Sequence, residues 1–140
     1  EEDYRIIRRL VPREGFDTNF KLPCPQDTGS QLGFHGQQLH VSQWYNKVVV
    51  AIDHNVNVQK SYKSPHGIAG QVIVDNRIYL VTTEAEETND YFLTRIDVDS
   101  DTATDIAKIP FPARSLAFDG QHFWSNHRAV DQIVCFKHPD

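Results

Sequence analysis

Leu32–Asp53 reads LGFHGQQLHVSQWYNKVVVAID, and Leu116–Lys137 reads LAFDGQHFWSNHRAVDQIVCFK, an imperfect copy of it without gaps. Between them Val72–Asp97, VIVDNRIYLVTTEAEETNDYFLTRID, is a weaker copy, one residue shorter at its first turn and five longer at its second. A self-similar period of about 40–45 residues is the mark of a repeat architecture in which each unit buries its apolar faces against its neighbours.

Within each copy, alternation and turn residues divide the unit into strands. Strand a is Gln31 to Phe34, Gln71 to Val74 or Ser115 to Phe118, followed by His35-Gly36-Gln37, Asp75-Asn76 or Asp119-Gly120-Gln121. Gly and Asn accept the positive φ that tight hairpin turns need. Strand b is Gln38 to Ser42, Arg77 to Thr83 or His122 to Asn126. Strand c is Lys47 to Ile52, Tyr91 to Asp97 or Gln132 to Phe136. Strand d is Asn57 to Tyr62, Thr102 to Ile109 or, from the N-terminal region, Thr18 to Leu22. Tyr4 to Val11 also reads as a strand. FKLPCP at 20–25, YKSPHG at 62–67 and AKIPFP at 107–112 each stand just before a copy, so each unit ends in a strand stopped by a proline, which has no amide hydrogen to extend a ladder. No segment holds a helical period over two turns, and Val, Ile, Tyr and Phe dominate the strands, so the chain is all-β.

Four antiparallel strands per repeat is the arithmetic of a β-propeller blade. The pattern of strand a, Asp/His-Gly-Gln, an aromatic-containing strand b and a strand c ending near Asp resembles the blades of the YVTN, NHL, gluconolactonase-like and virginiamycin-lyase-like propellers. Pro65-His66-Gly67-Ile68-Ala69, leading into Ile78 to Glu84, is similar to the Pro-x-Gly-Ile and Thr-Glu blade of the lyase-like group; the other two copies carry neither motif. The resemblance implies a propeller whose d-to-a connections and b-to-c loops form the ligand face.

The expected organisation is one domain over 1–140: a closing segment at 1–25, blade one at 26–66, blade two at 67–112 and an incomplete blade three at 113–140, which lacks a strand d. Three blades do not close a ring, since closed rings start at about four. The simplest closure is a two-fold homodimer in which Thr18–Leu22 of each copy pairs with Gln132–Phe136 of the other, making a six-bladed ring by strand exchange. The competing expectation is a section of a longer propeller, since the chain opens on Glu1 rather than Met and has no signal-peptide pattern.

Composition narrows the partners. The 140 residues are 39% apolar and 11% aromatic, enough for a core. Fourteen Lys and Arg against 19 Asp and Glu give a net charge of −5 without a basic run, which argues against nucleic acid and against an anionic membrane surface. No apolar run reaches the roughly 18 residues of a membrane span. Cys24 and Cys135 have no metal-ligand spacing and read as free thiols.

Strand polarity puts Asp27, Thr28, His66 and Arg114 on the same end as Gln43-Trp44-Tyr45-Asn46, Glu84–Asp90 and Asn126-His127-Arg128. His66, Glu84 and His127 are the candidate catalytic set: imidazole and carboxylate groups suit proton transfer or a divalent metal such as Zn, Mg or Ca. Gln43, Trp44, Tyr45, Asn46, Arg114, Asn126 and Arg128 are the candidate ligand-binding residues, with Trp44-Tyr45 able to stack on a sugar or flat ligand. Trp124, inside strand b, reads as blade core. Asp97–Asp101 reads as a c-to-d turn rather than a calcium loop, because Lys108 stands where a closing Glu is needed. Glu84–Asp90 reads as a solvated insertion. No phosphate loop, Gly-x-Ser-x-Gly or Cys-x-x-Cys occurs. The expected function is a propeller binding module for a small polar ligand, a glycan or a protein, with a metal-assisted lyase or hydrolase of the virginiamycin-lyase-like or gluconolactonase-like type as the alternative.

Overall fold

A computed structural model describes residues 5–139. Tyr4, the first residue of the expected N-terminal strand, lies outside them. The described chain is a row of antiparallel sheets. A hairpin of β1 (Ile6–Val11) and β2 (Gly15–Pro23) comes first. Blade one is the meander of β3 (Gln31–His35), β4 (Gln38–Gln43), β5 (Val48–Ile52) and β6 (Val58–Lys63). Blade two is β7 (Gly67–Val74), β8 (Arg77–Thr83), β9 (Tyr91–Asp97) and β10 (Thr102–Ile109). A sheet of three strands follows: β11 (Ala117–Phe118), β12 (His122–His127) and β13 (Gln132–Lys137).

The turns form where the chain can take positive φ. Asp75 and Asn76 lie at φ 46° and 63°, the two-residue hairpin geometry, and Gly36 and Gln37 at 57° and 61°. The alternation of each strand sends one set of side chains to each neighbouring sheet. Val49, Tyr62, Ile68, Ile78, Leu80 and Ile96 fill the layer between blades one and two. Tyr79, Val81, Tyr91, Leu93, Ile109, Leu116 and Phe123 fill that between blades two and three. Ile7 and Cys24 pack on Val41, Val50 and Ile52 of blade one, with Leu22 beside them.

Three features differ from the sequence reading. First, β7 starts at Gly67 rather than Gln71, because a bulge between Ile68 and Gly70 lets 67–70 stay paired to β8. Second, β2 is not a lone strand: β1 pairs with it, Ile7 opposite Leu22 and Arg8 opposite Lys21. Third, Trp124 is 38% exposed on the outer face of blade three, its Nε1 donating to Asp119 at 2.8 Å, and is not blade core.

The a strands converge at Gly70, where a Cβ would stand 2.8 Å from the Ser115 Cα and 2.9 Å from the Arg114 carbonyl oxygen. Gln31 of blade one reaches over it to donate to the Leu116 carbonyl of blade three at 3.1 Å. Its Oε1 accepts from the Gln71 amide at 2.8 Å, and Gln71 Nε2 donates to the Gln31 and His40 carbonyls at 2.8 and 2.9 Å.

Candidate functional site

The d-to-a connections and b-to-c loops do meet at one end. Gln43 and Asn46 touch 25–28, Glu84 touches His66, and Glu86 touches Arg114. At the opposite end the turns meet through His35 and Asn76, 3.0 Å apart.

His66 is the side chain of this end that is clasped by two carboxylates. Its ring stacks on Phe92 with centroids 4.9 Å apart. Both ring nitrogens face carboxylates: Nδ1 donates to Glu84 and Nε2 to Asp105 Oδ2 at 2.7 Å. Two donors on one imidazole make it the imidazolium. Partial burial by itself would lower its pKa, but the hydrogen bonds and charges of Glu84 and Asp105 outweigh that and raise it. The bond with His66 in turn lowers the pKa of Glu84, helped by Lys47 at 3.7 Å. Asp105 is held from behind by a hydroxyl relay across the blade, Thr94 Oγ1 donating to it at 2.6 Å and Thr82 lying 2.7 Å from Thr94.

The relay lies on the blade-one face of blade two, in line with Leu80 and Ile96. It joins strands b, c and d of one blade to Lys47 of another. Because the two ring nitrogens of His66 point at carboxylate oxygens on opposite sides of the ring, neither is left to face a cation, and this set does not fit a metal as it stands. Among the described residues no group of three or more His, Cys, Asp or Glu is arranged to hold a metal ion.

His127 does not join His66 and Glu84. It lies on blade three with its ring stacked on Phe111, centroids 4.9 Å apart, and its buried Nδ1 has no hydrogen-bond partner. Asn126 is a structural cap: its Oδ1 accepts from the amides of Arg114 and Ser115, both at 3.0 Å, and from the Ser115 hydroxyl. Gln43 has no exposed surface, and its Nε2 donates to the carbonyls of Pro25 at 2.8 Å and Thr28 at 3.3 Å. Asn46 locks the same corner by donating to Gln43 Oε1 and Gln26 Oε1 at 2.9 and 3.1 Å. Trp44 is half-buried, packed over Gly67, where a Cβ would meet its ring at 3.2 Å.

Tyr45 differs from these. It is 84% exposed between Trp44 and Asn46. Arg114 and Arg128 flank the far side of the face, both drawn to Glu86, with Arg128 at 3.7 Å. The insertion is therefore not simply solvated: Glu84 ties it towards blade one and Glu86 to blade three around a 3-10 turn at Glu86–Thr88. Asp105 and Lys47 were not singled out by the sequence, and Glu86 only as part of the stretch Glu84–Asp90. For Asp105 the available signal was a lone carboxylate in TATDIAKI, at the bulge of β10.

No protein-family model matches the chain, and no curated protein matches it. Solved structures do. The virginiamycin B lyase from Staphylococcus aureus superposes with a TM-score of 0.61 at 14% identity, over 99% of this chain and 50% of that one. The glutaminyl cyclase of Myxococcus xanthus gives 0.57 at 10% identity, over 76% and 47%. BBS1N, in its complex with ARL6DN, gives 0.57 at 10% identity, over 99% and 46%. The chain spans about half the length of these proteins. At such identities the likeness is one of fold: this chain is an arc of β-propeller blades that resembles part of the virginiamycin B lyase.

Proposed function

We propose that the chain is a propeller binding module whose loop end recognises a small polar ligand, a glycan or a protein, and that two copies close a six-bladed ring. The observation that carries the binding reading is the contrast within one loop. Gln43, Trp44 and Asn46 are spent on holding the corner, while Tyr45 is left 84% exposed on that fixed support. A rigid, exposed amphipathic ring is what stacking on a sugar or packing in a protein interface uses. Arg114 and Arg128 add cationic donors across the face.

The test is a glycan-array screen of the chain, with the affinity of each hit measured by calorimetry for the wild type, Tyr45→Ala and Arg114→Ala. A hit weakened about tenfold by Tyr45→Ala supports the site. A hit that keeps full affinity in both variants contradicts it.

A second reading, a lyase or hydrolase of the virginiamycin-lyase-like or gluconolactonase-like type, is favoured by the contact between His66 and Glu84. An imidazolium clasped by two carboxylates is a proton donor in form. The metal-assisted version would need a carboxylate to turn away from the ring. Elemental analysis for Zn, Mg and Ca on the purified protein, on His66→Ala and on Glu84→Ala tests it: stoichiometric metal lost in both variants favours it, and its absence removes that metal site.

A further inference from the structure

The β1–β2 hairpin has the register of the outer half of a blade. Ile7 stands opposite Leu22 as Val49 stands opposite Tyr62 and Tyr91 opposite Ile109. β2 thus holds a d position and β1 a c position, and the ungapped repeat makes β13 the third c strand of the chain, with Ile133 in the place of Val49. The two are unequal. Val49 is fully buried and Tyr91 is 1% exposed, whereas Ile133, on the open face of the third sheet, is 71% exposed. β1 puts Arg9 where the complete blades bury Ala51 and Leu93, and Arg9 turns to Asp17 and the Phe20 ring instead. At that position β13 carries Cys135. As a half-blade, the hairpin also covers only the outer part of blade one and leaves Leu32 and Phe34 of β3 42% and 70% exposed.

Resting on the ring-closure reading above, we propose that β1 is a placeholder: in the paired molecule, β13 of a second copy displaces it from β2. The second copy then supplies strands a, b and c, and β2 supplies d, which makes one four-stranded blade from two chains. Ala117, Trp124, Ile133 and Cys135 of the incoming blade face blade one, with β11 over the bare Leu32 and Phe34. The occupant is a second copy because the repeat matches it in strand number, register and side-chain size. A charged, poorly buried β1 is the weaker competitor for that edge.

In the exchanged register Cys135 lies opposite Phe20 of the other copy, at the position of the Leu93–Ala107 pair. The full-length Phe20→Cys variant is oxidised with copper phenanthroline and resolved on a non-reducing gel, with Phe20→Cys/Cys135→Ser as control. A separate Ile7→Asp variant, which weakens β1, is followed by light scattering. The expected results are a disulfide-linked dimer that needs Cys135, and a dimer fraction that rises several-fold in Ile7→Asp. A dimeric wild type with no Cys135-dependent link and no response to Ile7→Asp overturns the displacement of β1 while leaving dimerisation standing. Monomers in both the wild type and Ile7→Asp overturn ring closure itself and leave the β13 edge to another polypeptide.

Discussion

His66 is where charge, packing and sequence position coincide. Its pKa is raised in the folded chain, so its contribution to stability is complete below the ordinary histidine value and fades as pH rises through the raised one. The Tm difference between the wild type and His66→Ala should be largest below the ordinary histidine value of 6.5 and shrink as pH rises above it through the raised one; a difference that grows with pH contradicts the clasp. Gln43→Ala leaves the Pro25 and Thr28 carbonyls without their donor where Gln43 itself is fully buried and should cost about 1–3 kcal/mol in a denaturant titration. Tyr45→Ala, by contrast, should move stability by less than about 0.5 kcal/mol, so any loss of binding is a loss of contact.

At this scale the sequence was half legible. The position of His66 and Glu84 on one end followed from strand polarity, and they do bond. Which loop residues are spent inward did not follow, because Gln43, Trp44, Tyr45 and Asn46 are adjacent in sequence and differ only in rotamer and burial. Asp105, the second carboxylate on His66, comes from an outer strand 39 residues away, and only the register of the blade brings it there.

The elements were the most legible level. Period-2 alternation and the Gly and Asn turns placed the strands within a few residues, since each face of a blade is buried and a slipped register would expose it. The start of β7 was missed because a bulge is not visible as alternation. Gly70 within that bulge has a role that only close packing reveals. Gly70→Ala drives a Cβ into the Ser115 and Arg114 backbone and should cost about 1–3 kcal/mol, read as a lower denaturation midpoint. Gly70 is not at positive φ, so crowding alone carries this cost, and an unchanged midpoint in Gly70→Ala would contradict it. The β11–β12 turn depends on Asp119, whose carboxyl is lowered to about 2 by the His122 amide, Trp124 and the Gln121 amide. Its contribution is present above the unfolded value of 3.8 and is lost as pH falls towards about 2.

On the scale of the whole molecule, both ends of the arc carry open apolar faces among the described residues. Among the described residues, two four-stranded blades, a three-stranded sheet and a two-stranded hairpin leave apolar side chains bare at both ends of the arc: Leu32 and Phe34 at one, Trp124 and Ile133 at the other. Counting repeats made the three-stranded form of the third sheet visible. The pairing of β1 with β2 was not visible, because β1 is too diverged, with Arg8 and Arg9 in place of apolar residues, to align with the other c strands by eye. Pairing of two copies, as proposed above, would bury both bare ends, as the apolar interfaces of stable homodimers do. Light scattering across a concentration series measures this most directly. Ring closure by two copies predicts a mass that rises with concentration from 16.1 kDa towards twice that value, and at lower concentration in Ile7→Asp than in the wild type. A mass of 16.1 kDa at every concentration in both proteins would contradict it.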